Sequence, residues 1–280
     1  MSELVRQAVQ AVTGKVVERA LANAPEIAPV AIGTPVSRVD GPLKVTGAAT
    51  HASDTLLEGM VYAALTLSPI PRGRIISIDT SSAMALPGVI VIYTHQNAPR
   101  LGKNLMPQVG AGRWSIGRDF RPLQDDRIRF AGQPVALVIA ETWEEVVAAA
   151  SHVDVSYAAE PVETDLWQVE DDGFPATPRI GKPDYARGDV DAGLARAAAR
   201  VSAEYATPPQ TNNPLGLFAT IAHWDGNQLT LYDANQATQN VAHAAEAVFG
   251  LTLGRGGVDV ITPFVGGGFG TGLRAWPHAW

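Results

Sequence analysis

A β-type apolar run passes into a glycine-rich loop in the stretch Val258-Asp259-Val260-Ile261-Thr262-Pro263-Phe264-Val265-Gly266-Gly267-Gly268-Phe269-Gly270-Thr271-Gly272. Five of the eight residues in 265–272 are glycine. Because glycine loses more backbone entropy on ordering than any other residue, this composition does not suit the interior of a helix or strand. It suits a backbone that passes close to another group or adopts positive φ. We therefore interpret residues 265–272, the glycine loop, as a site-forming loop.

Phosphate binding is one interpretation of the glycine loop. Backbone N–H groups in such a loop can surround an anion, and residues 270–275 fit the pattern G-x-G-x-x-A. A dinucleotide site also needs a βαβ unit and an acidic residue about 20 positions further on, and neither appears before residue 280. The Gly-Lys-Ser/Thr of a Walker A loop is missing from the glycine loop. A tight packing turn that binds nothing is the alternative.

A polar cluster, residues 235–240 (Asn-Gln-Ala-Thr-Gln-Asn), precedes the glycine loop. Amides between the end of a strand and the start of a helix can point into a crevice beside the loop. A glutamine there can donate to an oxo ligand or accept from a cofactor amide without introducing charge. Asn235 and Thr238 can equally serve as helix caps. The residues alone leave both interpretations open.

Composition limits the classes of function. The 280 residues are enough for two ordinary domains, and the 46% that are apolar are enough for a core. The net charge of −7, without adjacent Lys or Arg residues, argues against a nucleic-acid binder. The lack of cysteine excludes disulfides, Cys-ligated iron–sulfur clusters and Cys-based zinc sites within the chain. The six histidines form no His-x-x-x-His pair, which gives a histidine metal site little support.

The sequence carries no membrane or export signal that we recognise. No apolar run approaches the roughly 20 residues that span a bilayer. Residues 1–23 carry Glu3 and Glu18 among small and apolar residues, which is not the pattern of a signal peptide. We therefore expect a cytoplasmic protein.

Apolar periodicity and turn signals predict a mixed α/β protein. The predicted strands are 60–67, 75–78, 89–93, 135–140, 153–157, 201–205, 218–224, 229–232 and 258–262, with one more short strand between two turns in 37–47. The predicted helices are 79–88, 143–152 with a capping box at Thr142 and Glu145, 188–199, and 239–249 ending at Gly250. A long loop is predicted at 98–121.

Composition shifts predict the domain boundaries. Residues 1–32 read as an N-terminal tail and linker, and 33–166 as a first domain. Residues 167–187, with three prolines and an acidic run, read as an exposed linker. Residues 188–280 form the second predicted domain.

Four segments, taken together in chain order, carry a family resemblance. They are residues 33–47 (GTPVSRVDGPLKVTG), residues 74–89 with 132–136 (GQPVA), residues 224–236, and residues 263–270 (PFVGGGFG). Each is weak alone, but together they cover nearly the whole chain. This combination resembles the large molybdenum-binding subunit of the xanthine dehydrogenase/aldehyde oxidase family, in its bacterial split-subunit form.

The resemblance implies a fold and a set of site residues. The fold is α+β, with an a/b hammerhead domain at 33–166 followed by the first part of the molybdopterin-binding domain at 188–280. Gln236 matches the family's glutamine beside the molybdenum, next to an apical oxo ligand. The backbone expected to lie against the metal and the pterin is that of Gly267, Gly268, Phe269 and Gly270.

The resemblance also implies a cofactor, a reaction and partners. The cofactor is the molybdenum cofactor, a molybdopterin that we expect in the cytosine dinucleotide form. The reaction is hydroxylation of an aldehyde or N-heterocycle with water as the oxygen source. Electrons would leave through 2Fe-2S and FAD groups on an iron–sulfur subunit and an FAD subunit, in keeping with the lack of cysteine here. Co-export with a partner subunit to the periplasm stays open.

Two stretches depart from the family pattern. Where the family has His-Asn-Pro-Met-Glu-Pro-His, residues 212–218 read Asn-Asn-Pro-Leu-Gly-Leu-Phe, with Gly216 in place of the acid. Where the loop often continues Gly-Gly-Lys, this chain has Gly270-Thr271-Gly272. These departures leave the substrate class open.

Length is the larger departure. Members of the family continue for several hundred more residues, which carry most of the pterin-nucleotide contacts and the glutamate general base. We therefore expect this chain to be an N-terminal portion without a catalytic residue of its own, inactive alone. One alternative is a non-catalytic truncated or scaffold chain that needs a second chain to complete the site. Another is a nucleotide-binding module, which requires a βαβ continuation after Ala275.

Overall fold

A computed structural model describes residues 33–102, 120–173, 186–214, 218–251, 257–273 and 275–279. The chain divides into two compact units, Met1–Ala49 and Thr50–Trp280. The predicted tail at 1–32, most of the predicted loop at 98–121, the middle of the predicted linker at 167–187 and Gly216 lie outside the described residues.

Within its described residues, 33–49, the smaller unit contains one short helix, α1 (Gly41–Val45). The predicted strand within 37–47 is therefore wrong. Pro42 lies in the first turn of α1, where its missing N–H costs nothing. The Asp40 carboxylate lies 2.6 Å from Lys44 Nζ, an i,i+4 pair that only a helical turn brings together.

The larger unit contains three sheets and four short α-helices within its described residues. The strands are β1 (Tyr62–Leu67), β2 (Gly73–Asp79), β3 (Val89–Thr94), β4 (Arg127–Ile128), β5 (Pro134–Ala140), β6 (Asp154–Ala159), β7 (Thr220–Asp225), β8 (Gln228–Asp233) and β9 (Val258–Ile261). The helices are α2 (Ser81–Met84), α3 (Trp143–Ser151), α4 (Val190–Ala195) and α5 (Thr238–Phe249). None of the helices in the described ranges is long and apolar enough to cross a membrane.

The first sheet has the order β1-β5-β3, with β5 antiparallel to both neighbours. Helix α3 packs across it through Val146 and Ala149, which are fully buried. The predicted capping box begins this helix: the Thr142 hydroxyl accepts from Glu145 N, and the Glu145 carboxylate accepts from Thr142 N. The core beneath α3 consists of Ala83, Ile92, Ala136, Val138, Ala140, Val146, Ala149 and Val153.

The second sheet has the order β4-β2-β6 and is antiparallel throughout. Strand β4 has two residues, too few to show a period, so apolar patterning does not predict it. Its Ile128 packs with Ile75 and Val135 in a separate small core. Helix α3 on the first sheet, together with this second sheet, gives the mixed α/β structure predicted for this region.

The third sheet has the order β7-β8-β9 and supports the glycine loop. Strands β7 and β8 form the predicted antiparallel hairpin, with Gly226 at φ +57° in its turn. Strands β8 and β9 are parallel neighbours, and α5 connects them. Helix α5 ends at Gly250, which adopts the left-handed conformation, φ +69°, that its position after the helix predicts. The core between α5 and this sheet contains Leu229, Leu231, Val241, Ala245 and Val258.

Three more predicted elements differ from the structure in kind or in extent. Residues 201–205 form no strand; Val201 is 90% and Tyr205 88% exposed, so their β-type residues have no sheet to join. The helices predicted at 79–88 and 188–199 are cut to α2 and α4. Helix α2 ends at Met84, shortly before Pro87 and Gly88, which do not continue a helix. Helix α4 ends at Ala195.

Candidate functional site

The parallel pairing of β8 and β9 brings two loop segments to one edge of the third sheet. Leu229 pairs with Val258 and Tyr232 with Ile261, so both strands end at the same level. The carbonyl of Asp233, the last residue of β8, accepts a hydrogen bond from Thr262 Oγ1 at 2.5 Å. Ligand sites of α/β sheets lie at the carboxyl ends of parallel strands. Residues 234–237 and the glycine loop start from this edge.

Gln236 lies against the glycine loop. Its backbone N–H donates to the Gly272 carbonyl at 2.6 Å. A β-carbon placed on Gly268 would lie 3.2 Å from Gln236 Oε1. The side chain is exposed, and none of the described residues forms a hydrogen bond with its amide. The Gln236 side-chain amide is therefore available to bind a ligand, next to the glycine backbone at Gly268.

Asn235 and Gln236 divide the two roles that the sequence left open. Asn235 is 3% exposed, and its Oδ1 accepts from Ala237 N at 2.8 Å, which shapes the turn before α5. Thr238 is the first residue of α5 rather than its cap. Asn235 therefore stabilises the turn before α5 without being its N-cap, and the exposed Gln236 side chain is not used for capping.

The glycine loop is an open surface of backbone with one exposed aromatic ring. Gly266 and Gly270 have φ of +76° and +92°, the conformations for which glycine is favoured. Phe269 also has positive φ, +43°, and is 76% exposed. A β-carbon on Gly267 would lie 3.1 Å from Cε2 of the Phe269 ring. The predicted site residues 267–270 thus form one continuous segment, with Gln236 at Gly268.

Residues that the site prediction did not include hold this loop in place. Asn212 Nδ2 donates to Thr271 Oγ1 at 2.6 Å, and Trp276 Nε1 donates to the Thr271 carbonyl at 2.7 Å. Asn212 and Thr271 both lie in the stretches that depart from the family pattern, which is the signal that could have found them.

His51 is a second neighbour that the site prediction did not include. Its ring centroid lies 6.0 Å from that of Phe264, with the planes tilted by 52°. A β-carbon on Gly266 would lie 3.5 Å from His51 Cε1. No local pattern in the sequence connects residue 51 with the glycine loop, because the contact depends on the tertiary fold.

The donor set at this edge suits a bulky cofactor rather than a bare metal ion. Backbone groups, one neutral amide and one aromatic ring face outward from Gln236 and residues 266–270. Within the described ranges no three or more His, Asp or Glu side chains group so as to hold a metal ion. A metal at this edge would have to arrive with its own organic ligand.

Comparison with known proteins identifies both parts of the chain. Residues 46–161 match the family described as aldehyde oxidase and xanthine dehydrogenase, a/b hammerhead domain. Residues 174–280 match the molybdopterin cofactor-binding domain. These matches confirm the predicted α+β fold class.

The similar curated proteins are much longer than this chain. The chain is 34% identical over 241 residues to the aldehyde oxidoreductase molybdenum-binding subunit PaoC of Escherichia coli K12, covering 85% of this chain and 31% of that protein. It is 30% identical to the putative xanthine dehydrogenase molybdenum-binding subunit XdhA of the same organism, covering 83% and 32%. The chain therefore spans about a third of the length of these relatives.

Solved structures show the same relationship. Quinoline 2-oxidoreductase from Pseudomonas putida 86 superposes with a TM-score of 0.68 at 25% identity, over 88% of this chain and 32% of that one. CO dehydrogenase from Oligotropha carboxidovorans gives 0.64 at 25% identity over the same shares. With its hammerhead and cofactor-binding matches in this order, the chain belongs to the xanthine dehydrogenase/aldehyde oxidase family of molybdenum-binding subunits.

Proposed function

We propose that Gln236 and residues Gly267, Gly268, Phe269 and Gly270 form one wall of the molybdenum cofactor site of a molybdenum hydroxylase. One observation carries the proposal: the free Gln236 amide lies at the bare backbone of Gly268, within 3.2 Å of a β-carbon position there. A side chain at Gly268 would fill the space in front of this amide. The match to a molybdopterin cofactor-binding domain supports the choice of ligand.

Each part of the wall has a distinct task. The Gln236 amide can donate a hydrogen bond to an oxo ligand and accept one from a pterin N–H without adding charge. The backbone at residues 266–270 can approach a flat ring system because no side chain but Phe269 projects from it. The exposed Phe269 ring can cover one side of the bound group and exclude water. When bound, the cofactor supplies the redox centre that places water-derived oxygen on an aldehyde or N-heterocycle.

The remaining components of the enzyme would be supplied by other polypeptides. The relatives are named as subunits, which supports a division of the activity over several chains. Because this chain has no cysteine, an iron–sulfur cluster with cysteine ligands has to lie elsewhere. We propose an iron–sulfur subunit and an FAD subunit as partners, and the cytosine dinucleotide form of the pterin. We also propose that the general-base glutamate is supplied from outside these 280 residues, so that the chain is inactive by itself.

Molybdenum content and turnover of the complete enzyme test this function. Gln236→Ala should lower turnover about 100-fold, the usual order for one positioned donor at a reacting centre. Molybdenum content and melting temperature should stay near the parent's, since the side chain is exposed and forms no hydrogen bond within the described structure. Gln239→Ala is the matched control, because Gln239 is an exposed glutamine in the first turn of α5, and it should leave turnover unchanged.

Three results would count against the proposal. If the Gln236→Ala enzyme has the same turnover rate as the Gln239→Ala enzyme, Gln236 does not belong to the site. If the 280-residue chain alone binds molybdenum stoichiometrically, measured by mass spectrometry of the metal, the claim that it supplies only one wall is wrong. If the complete enzyme contains no molybdenum, the non-catalytic scaffold function replaces this one.

A further inference from the structure

The glycine loop is restrained from outside by the segment 212–214. Asn212 Nδ2 donates to Thr271 Oγ1 at 2.6 Å. A β-carbon on Gly270 would lie 3.5 Å from the same nitrogen, and one on Gly267 would lie 3.8 Å from Pro214 Cβ. Asn212 thus contacts the glycine loop at Gly270 and Thr271, from a segment outside the loop.

Thr271 connects this contact to Gln236. Its N–H donates to the Gly268 carbonyl at 2.7 Å, which closes a tight turn over residues 268–271. The next residue, Gly272, accepts from Gln236 N at 2.6 Å. Gly268 and Gly272 are the two glycines whose β-carbon positions lie against the Gln236 amide, at 3.2 and 3.6 Å from its oxygen. A shift of Thr271 would therefore move both surfaces that flank Gln236.

A loop of this composition needs such a restraint. Glycine residues have the largest backbone entropy to lose, so a glycine-rich segment has a strong tendency to sample other conformations. Side chains that could anchor the loop internally are few: Val265, Phe269 and Thr271 are its only non-glycine residues. Phe269 is 76% exposed and anchors nothing in the described core. The hydroxyl of Thr271 is the polar side-chain group within the loop, and Asn212 binds it.

We propose that Asn212 is a positioning residue that, through Thr271, holds the glycine loop in its cofactor-facing shape before the cofactor binds. The restraint joins two segments that are 59 positions apart in the sequence. The choice of ligand rests on the proposed function; the restraint itself does not.

Hydrogen exchange of the cofactor-free 280-residue chain tests the restraint. The amides to follow are those of Thr271 and Gln236, because both donate to loop carbonyls. Thr271→Val removes the hydroxyl but keeps the shape, and Asn212→Ala removes the donor. Loss of one neutral hydrogen bond should speed exchange of these amides about five-fold. Thr271→Ser keeps the hydroxyl and should exchange within about two-fold of the parent.

The double variant separates a pairwise restraint from two independent effects. Because both single changes break the same bond, Asn212→Ala with Thr271→Val should again exchange about five-fold faster, not about 25-fold. A 25-fold change, or equal exchange in the Val and Ser variants, would overturn the proposal. If Asn212→Ala fails to fold, the Val and Ser comparison still decides. The readout needs no molybdenum, so its failure is distinct from failure of the Gln236 test.

Discussion

Gly268 and Gly73 differ in what an added β-carbon would meet, and the difference tests whether the glycine loop is open or packed. At Gly268 the nearest atom is Gln236 Oε1, 3.2 Å away at the end of a flexible exposed side chain. At Gly73, in β2, the nearest atom is the backbone carbonyl oxygen of Ala158, closer than any real β-carbon contact, and the residue has φ +147°. Gly73 pairs with strands on both sides, so its surroundings cannot move away.

The expected free energies follow from these contacts. Gly73→Ala combines an unfavourable φ, about 1–2 kcal/mol, with overpacking against fixed backbone, about 1–3 kcal/mol. It should destabilise the chain by about 2–5 kcal/mol. Gly268→Ala has no positive φ to strain. Its clash with Gln236 is relieved by rotating the side chain, and the lower entropy of the unfolded state contributes about 0.4–1 kcal/mol in the other direction. Its net effect should stay within about 1 kcal/mol.

Thermal unfolding followed by circular dichroism measures both variants. At about 2–4 °C per kcal/mol for a domain of this size, Gly73→Ala should lower the melting temperature by about 4–20 °C, and Gly268→Ala by less than about 4 °C. In the complete enzyme, Gly268→Ala should nevertheless lower turnover, because it displaces the Gln236 amide. If Gly268→Ala unfolds as early as Gly73→Ala, the loop is a packing turn and the reasoning behind the open wall is refuted.

Two further predictions concern helix α3 and the residues around α1. Thr142→Ala removes the capping hydroxyl of α3 and should lower the free energy of unfolding by about 1 kcal/mol; Thr142→Ser should retain it, and equal loss in both variants in urea denaturation would contradict a capping role. Hydrogen bonds from Lys44, and then Arg38, lower the pKa of the exposed Asp40 to about 2. Because this pKa is lowered on folding, the contribution of these pairs is present above the usual carboxyl range and is lost as the pH falls towards 2. An NMR titration of the Asp40 carboxyl should show this pKa, and Lys44→Met should raise it; an unchanged pKa in that variant would exclude Lys44 as the main cause.

Elements with local signals were predictable from the sequence. Helix α3 carries its start in the Thr142 and Glu145 capping box, and α5 carries its end in Gly250, so both lie within one residue of the predicted bounds. The β7–β8 hairpin carries its turn in Gly226. In each case the signal residues lie within a few positions of the helix end or turn that they specify.

Elements that depend on partners far away in the sequence could not be predicted from it. The β-type residues at 201–205 have no strand beside them, and α1 forms where turn signals indicated a strand. Strand β4 exists because β2 provides a partner for its two residues. Pairing across the sheet decides these cases, and a single sequence does not display it.

The candidate site also combines features that the sequence predicts with features that depend on the tertiary fold. The open backbone of the glycine loop follows from its composition, and the strand–helix–strand order favours parallel β8 and β9. The close approach of Gln236 to Gly268 depends in addition on the register of that pairing, which the sequence does not display. Asn212 comes from a segment with no regular structure, and its importance depends on one hydroxyl in the loop. A glycine-rich backbone can approach a cofactor closely because it lacks side chains, but for the same reason it has few side chains to fix its shape. The restraint must then come from residues elsewhere in the chain, and Asn212 supplies it through its hydrogen bond to Thr271.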